Sequence, residues 1–317
     1  MTFFSLRRAV LVAACASAAL LAACGSGTTE SALSPNRFVV FGDAYADVGQ
    51  SGSKYTVNDG TVTTWVDEVA SRFSKTISPS STGGFGYARV NARIVNKPDA
   101  GGNNGTLTVS EQLDTFLAAN KIDSNDVLIV SGGISDLVVQ TQALLAGTQT
   151  EAQLIVNVQQ AGRDLGTLVR RAITAGAKQV IVVAPYNLGR SPWGIGIGKQ
   201  DLLGNATTKF VEALKVSIVD LGANALYVDG EAIVNNVTAT DSSALSLPNK
   251  TSAVCTSIDP GVGIGIGTGQ VNSSLCTPST VGGLAYANYA FADGLFFTPV
   301  VHRYVGDYFY ERIRDRF

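Results

Sequence analysis

Few residues in this chain could do chemistry. Histidine occurs once, at His302, and among the acids Asp43 and Asp47 follow the first apolar run while Asp293 lies near the C-terminus. Nucleophilic catalysis needs a hydroxyl or thiol beside a base, with a third group to orient that base. Asp43 and Asp47, four residues apart, have a spacing that a carboxylate pair or a metal site would use. The cysteines are Cys15, Cys24, Cys255 and Cys276. One histidine and no Cys/His cluster leave no zinc-type ligand set. Two glycine strings, Gly194-Ile195-Gly196-Ile197-Gly198 and the stretch from Gly261 to Gly269, lack the Lys-Ser/Thr ending of a phosphate loop. Neither has the strand-to-helix placement of a dinucleotide site. Both read as flexible loops, and no cofactor is expected.

These residues must be positioned by the elements around them. Phe38-Val39-Val40-Phe41 stops at Gly42-Asp43, and Val127-Leu128-Ile129-Val130 stops at Ser131-Gly132-Gly133. Val180-Ile181-Val182-Val183 stops at Ala184-Pro185, and Ala225-Leu226-Tyr227-Val228 stops at Asp229-Gly230. Short apolar runs without alternation fit strands covered on both faces, as in a parallel sheet. Between them, Leu154, Val158, Ala161, Leu165, Leu168 and Ala172 recur at helical spacing, as do Phe210, Leu214 and Ile218. A last helix is predicted from Thr298 to Arg314, with Pro299 in its first turn and Val300, Tyr304, Tyr308 and Ile313 on one side. Strand–helix alternation predicts an α/β fold, a three-layer α/β/α sandwich around a central parallel sheet. The Gly-, Ser- and Thr-rich stretch from about 237 to 289 breaks the alternation and reads as an insertion in a domain spanning 37–317.

The N-terminus sets the compartment. Arg7 and Arg8 precede an unbroken small and apolar run from Ala9 to Ala23. That is the pattern of a signal peptide over 1–23, too short for the about 20 residues that span a bilayer. It ends in Leu21-Ala22-Ala23-Cys24 before Gly25-Ser26-Gly27, which resembles the bacterial lipobox. That resemblance implies acylation of Cys24, a linker over 24–36, and a cell-envelope location on the outer membrane of a Gram-negative bacterium. Several acyl chains on one residue make a stable anchor, each buried CH₂ contributing about 0.8 kcal/mol. The formal charge is −2, and loss of Arg7 and Arg8 with no acid takes it to −4. That is no footprint for nucleic acid. Cys15 leaves with the peptide and Cys24 takes lipid, so Cys255 and Cys276 remain for one disulfide in an oxidising compartment.

The residues after the strand runs form an ordered series of motifs. Phe41-Gly42-Asp43-Ala44-Tyr45-Ala46-Asp47-Val48-Gly49 resembles the first signature of the GDSL/SGNH hydrolase family, FGDSxxDxG, with Ala44 where the nucleophilic serine belongs. Tyr55 to Gly60, leading to Trp65, is similar to the segment before the family's first helix. Phe85-Gly86-Tyr87-Ala88-Arg89-Val90-Asn91-Ala92-Arg93-Ile94 resembles the second signature, with Val90 and Asn91 where a glycine supplies an oxyanion N–H. Val130 to Leu137 resembles the third, GGxND, with Ser135 at the oxyanion asparagine. Phe291-Ala292-Asp293-Gly294-Leu295-Phe296-Phe297-Thr298-Pro299 resembles the DxxH signature; Asp293 is kept and Phe296 stands at the base.

The resemblance implies an SGNH-hydrolase, flavodoxin-like fold over residues 37–317 and a family of esterases and lipases. It also implies that the apparatus of this member is gone. Ala44 has no attacking atom, Phe296 cannot move a proton, and Asp293 has no imidazole to orient. His302, six residues beyond Phe296, reads as a helix-packing or surface residue, and Asp43 and Asp47 as shapers of the turn after the first strand. The leading expectation is a lipid-anchored protein binding an apolar or acyl ligand in a cleft floored by Ala44, Tyr45, Phe296 and Phe297. The alternatives are an active esterase with another nucleophile, or an anchoring protein that uses the insertion around Cys255 and Cys276 as a contact surface.

Overall fold

The structure is a computed structural model that describes residues 33–61, 64–239, 245–283 and 285–317. The expected signal peptide, Cys24 and most of the expected linker lie outside the described residues. Residues 33–317 form one compact unit.

Its centre is a sheet of four parallel strands in the order β1 (Phe38–Phe41), β2 (Val127–Ser131), β3 (Gln179–Val183), β4 (Ala225–Val228). Register runs Phe38 to Val127, Val127 to Gln179 and Val180 to Ala225. Every residue of β1 and β2 is buried, so both faces are covered, as their unbroken apolar runs require. The open edge of β1 is taken by the chain at 85–87. There Val40 N–H donates to the Phe85 carbonyl at 2.9 Å, and Tyr87 N–H donates to the Val40 carbonyl at 2.7 Å. This short segment sets the second signature beside the first.

One helical layer holds α1 (Trp65–Arg72), α7 (Gly230–Thr238) and α8 (Pro299–Arg316); the other holds α2 (Val109–Ala119), α3 (Ile134–Leu145), α4 (Glu151–Thr174) and α6 (Gln200–Ile218). A further short helix, α5, covers Pro192–Gly196. Helix starts are written locally. Thr64 with Asp67, and Thr108 with Glu111, each form a reciprocal capping box. The predicted stripes of α4 and α6 are buried as read. These two helices lie close because Gly162 has no side chain: a Cβ there would sit 2.3 Å from the Phe210 carbonyl oxygen.

The stripe of the last helix is shifted from expectation. Val301, His302, Val305, Gly306, Phe309 and Ile313 are buried, while Val300, Tyr304 and Tyr308 are only half-buried. Spacings of three and four fix a helical period but leave its phase open when apolar residues stand on adjacent positions. Contact with α1 fixes the phase. Gly306 meets Glu68 so closely that a Cβ would be 2.5 Å from the Glu68 Cβ, and Phe309 packs edge-on to Trp65.

The stretch read as an insertion pairs β5 (Asn249–Ala253) with β6 (Tyr289–Phe291). Val57, Val254, Cys255, Cys276, Val281 and Ala292 make a small core of their own there. The disulfide Cys255–Cys276 is formed. The glycine strings are not plain loops. Gly194 and Gly196 lie in α5, and the second string carries two buried isoleucines, Ile264 and Ile266.

Candidate functional site

The motif residues gather at the carboxyl ends of β1 and β2, where open α/β sheets place ligands. Ala44 opens a single 3₁₀ turn directly after β1. Gln112 clamps Gly42, just ahead of that turn, through both ends of its amide: Gly42 N–H donates to Oε1 at 2.8 Å, and Nε2 donates to the Gly42 carbonyl at 2.9 Å. Gly42 sits in a tight place, where a Cβ would lie 3.0 Å from the Ser131 carbonyl oxygen.

The carboxylates hold these turns. Asp43 accepts from Tyr45 N–H through Oδ1 and from Ile134 N–H through Oδ2, both at 3.1 Å, which ties the first motif to the start of α3. Burial pushes its carboxyl up to about 6 against those donors. Asp47 accepts from Gly49 N–H and Gln50 N–H at 2.8 Å each, and burial also takes it to about 6. Asp136 pairs with Arg93 at 3.1 Å and accepts from Ile94 N–H at 3.0 Å, joining the second and third motifs. Motif matching gave Arg93 and Asp136 no role. Both stood inside the quoted motifs, but their pairing across 43 residues is visible only in three dimensions.

Asp293, the acid at the DxxH-like motif, is wholly buried. Its Oδ1 accepts from Leu295 N–H at 2.8 Å and Phe296 N–H at 2.7 Å, and its Oδ2 accepts from Ser273 N–H at 3.0 Å. Burial raises its pKa, and these donors oppose the shift. Its partners are backbone and serine groups, with no imidazole among them. The carboxylate folds the 293–296 turn and holds it to Ser273.

The remaining positions are hydrocarbon or engaged elsewhere. Ala44 is 4% exposed and Phe296 2%, the latter with its ring 5.5 Å from that of Tyr55. Tyr45 and Phe297 join Tyr186, Trp65 and His302 in one aromatic cluster, with Tyr186 and Phe297 ring centres 4.8 Å apart. These two residues are core. Asn91 takes a left-handed backbone, φ +61, which asparagine tolerates where the GDSL/SGNH pattern has glycine. Its Nδ2 donates to the Gly263 carbonyl at 2.9 Å. Ser135 is buried in the first turn of α3, its N–H facing the Asp43 carboxylate.

His302 is buried on α8, and its Nδ1 accepts from Trp65 N–H at 3.2 Å, at the start of α1. Nδ1 is thereby unprotonated, and burial lowers the imidazole to about 3. An unfolded histidine takes a proton near 6.5 that the folded one refuses until about 3, so its contribution is complete above 6.5 and lost as pH falls through that window. The stability advantage over His302→Gln should therefore shrink on acidification, by on the order of 1.4 kcal/mol per pH unit below 6.5. Urea unfolding at pH 7.5 and 5 measures it. A gap independent of pH would show that the imidazole titrates normally.

Among the described residues no three His, Cys, Asp or Glu side chains converge as a metal site requires. A polar groove of about 520 Å³ is lined by Asn187, Arg190, Gln200, Asp201 and Lys250, and an apolar one of about 350 Å³ by Trp193, Ile197, Ala253, Ile266 and Val271.

No protein-family model and no curated protein matches this chain. Among solved structures it is similar to an aryl esterase of M. smegmatis, with 14% identity over 89% of this chain and 99% of that one and a TM-score of 0.44. It is also similar to a carbohydrate acetylesterase from Sinorhizobium meliloti, with 14% identity over 89% and 99% and a TM-score of 0.49. The chain is a three-layer α/β/α protein whose strand ends bear the ordered GDSL/SGNH-like motifs, with alanine and phenylalanine where that pattern has its nucleophile and its base.

Proposed function

We propose that this chain is a lipid-anchored envelope protein on the GDSL/SGNH hydrolase scaffold that has lost ester hydrolysis and holds an apolar or acyl ligand at the former active site. The anchor is the acylated Cys24 of the Leu21-Ala22-Ala23-Cys24 segment, on the outer membrane. One observation carries the catalytic half of this reading: the side chains at 44 and 296 are hydrocarbon and buried, and the only imidazole is spent as an acceptor for Trp65 N–H. In subtilisin, loss of serine or histidine alone lowers turnover about 10⁶-fold, or roughly 8 kcal/mol of barrier. The apolar surroundings of Phe296 and the groove beside Gly294 support a hydrocarbon ligand.

A serine-directed fluorophosphonate and short p-nitrophenyl esters test the loss of catalysis on purified protein. Neither covalent labelling nor turnover above a heat-denatured control is expected. Labelling of any serine, with turnover abolished by its replacement, would establish an active esterase with another nucleophile.

A further inference from the structure

The insertion is a tongue with a crosslinked base. Residues 257–259 and 270–272 run antiparallel: Asp259 N–H donates to the Gln270 carbonyl at 2.9 Å, and Asn272 N–H to the Ser257 carbonyl at 2.9 Å. Asn272 Nδ2 adds a 2.7 Å bond to Asp259 Oδ2. The Cys255–Cys276 disulfide closes the base. Two further groups hold that base to the body: Asp293 through Ser273 N–H, and Asn58, whose Nδ2 donates to the Ser273 and Cys276 carbonyls at 3.2 Å each.

The tip is built for close contact. Gly265 has φ +83, and a Cβ on it would lie 2.8 Å from the Ala100 Cβ and 2.9 Å from Asn91 Oδ1. Gly263 is bonded to Asn91. On the other flank a Cβ on Gly294 would come within 2.7 Å of Ile266 Cδ1. The tip thus reaches from the second motif to the last, the two segments that flank Ala44 in the family pattern. It brings two isoleucines that are 3% and 7% exposed, Ile264 and Ile266. A sequence of glycines with two inward isoleucines is a poor solvent loop and a good plug: glycine permits the approach, and isoleucine supplies the buried surface.

We propose that the disulfide-closed tongue, residues 255–276, is an internal lid that fills the former catalytic cleft with Ile264 and Ile266 and must lift before a ligand reaches Ala44. This rests on the reading of that cleft given above and adds its regulation. The ligand class that fits the exchange is a hydrocarbon chain, since the surface it would replace is two aliphatic side chains. The groove beside Ile266 and Trp193 gives it a first foothold.

The test is accessibility at residue 44. In the full chain carrying Ala44→Cys, N-ethylmaleimide labelling, mapped to residue 44 by peptide mass, should run at least tenfold slower than in urea. Adding Ile264→Ser/Ile266→Ser, or separately Gly265→Val, which forces the tip off Ala100, should speed it at least tenfold. An equally severe pair away from the tongue, Ile233→Ser/Val237→Ser on α7, should not. The lid is overturned if the introduced thiol already reacts at the unfolded rate, if neither tongue variant accelerates labelling, or if the α7 pair accelerates it as much. Labelling does not depend on ester chemistry, so an active esterase would sink the functional reading and leave this result standing.

Discussion

Restoring serine at 44 and histidine at 296 is expected to leave the protein nearly inert toward esters until the tongue is opened as well. Ala44→Ser/Phe296→His supplies a hydroxyl and an imidazole on a scaffold that keeps Asp293, and so the parts of a triad. Both positions are buried, however, and the tip of the tongue grips Asn91 on one flank and Gly294 on the other. Combining the pair with Ile264→Ser/Ile266→Ser should give p-nitrophenyl acetate turnover at least tenfold above the parent chain. It should stay far below that of a complete serine hydrolase. Two deficits set that ceiling. Asn91 and Ser135 replace the glycine and asparagine that help bind the oxyanion in the family pattern, and one lost oxyanion donor costs about 10²–10³-fold. Asp293 already serves three backbone donors. Initial-rate assays on the parent, the two double variants and the quadruple variant read the outcome. Full activity in the first pair alone would show that the cleft is open, and no activity in the quadruple variant would show that its geometry has moved beyond repair.

Asp293→Ala should cost the fold about 3–5 kcal/mol, although its place in the DxxH-like motif would invite a test of catalysis. Removing the carboxylate leaves the N–H groups of Leu295, Phe296 and Ser273 without their acceptor, in a place closed to water. Each unsatisfied buried group costs about 1–3 kcal/mol. Asp293→Asn keeps one acceptor oxygen but turns an amide donor toward other donors, so an intermediate loss is expected. Equilibrium urea denaturation decides the matter. A loss under about 1 kcal/mol for Asp293→Ala, less than one such group costs, would mean the carboxylate does not hold the turn.

The division between motif and architecture runs through particular residues. The strand runs at 38–41, 127–130 and 180–183 were legible because a both-faces-buried strand leaves an unbroken apolar signature, and the run at 225–228 was legible although Leu226 and Tyr227 on that edge strand are only half-buried. The stripes of α4 and α6 were legible because repeated spacing over several turns averages out local noise. The α8 stripe was misphased by one position because Val300-Val301 and Tyr308-Phe309 offer apolar neighbours on both sides. The contact with α1, Gly306 against Glu68 and Phe309 against Trp65, selects one. Tyr45 looked like a cleft floor and is core, and Phe297, whose sequence fitted a cleft floor and a core filler equally, is core as well, since the direction of a side chain at the end of a strand follows from what packs beyond it.

Taken alone, the sequence determined which atoms stand at the motif positions. A missing hydroxyl at Ala44 and a missing imidazole at Phe296 are covalent facts that no packing can reverse, and the helix caps and buried strands are local enough to be read in the same way. Tertiary structure decided what those positions are for now. Arg93 finds Asp136, Asp293 finds Ser273, and Asn91 finds Gly263 across separations of 43, 20 and 172 residues. Pairings at such distances are fixed by how the sheet and helices bring the chain back on itself, and no local spacing encodes them. The glycine string from 261 to 269 gives the clearest instance: its sequence shows no partner, and in the fold Gly265 lies so close to Ala100 and Asn91 that a Cβ on it would come within 2.8 and 2.9 Å of them.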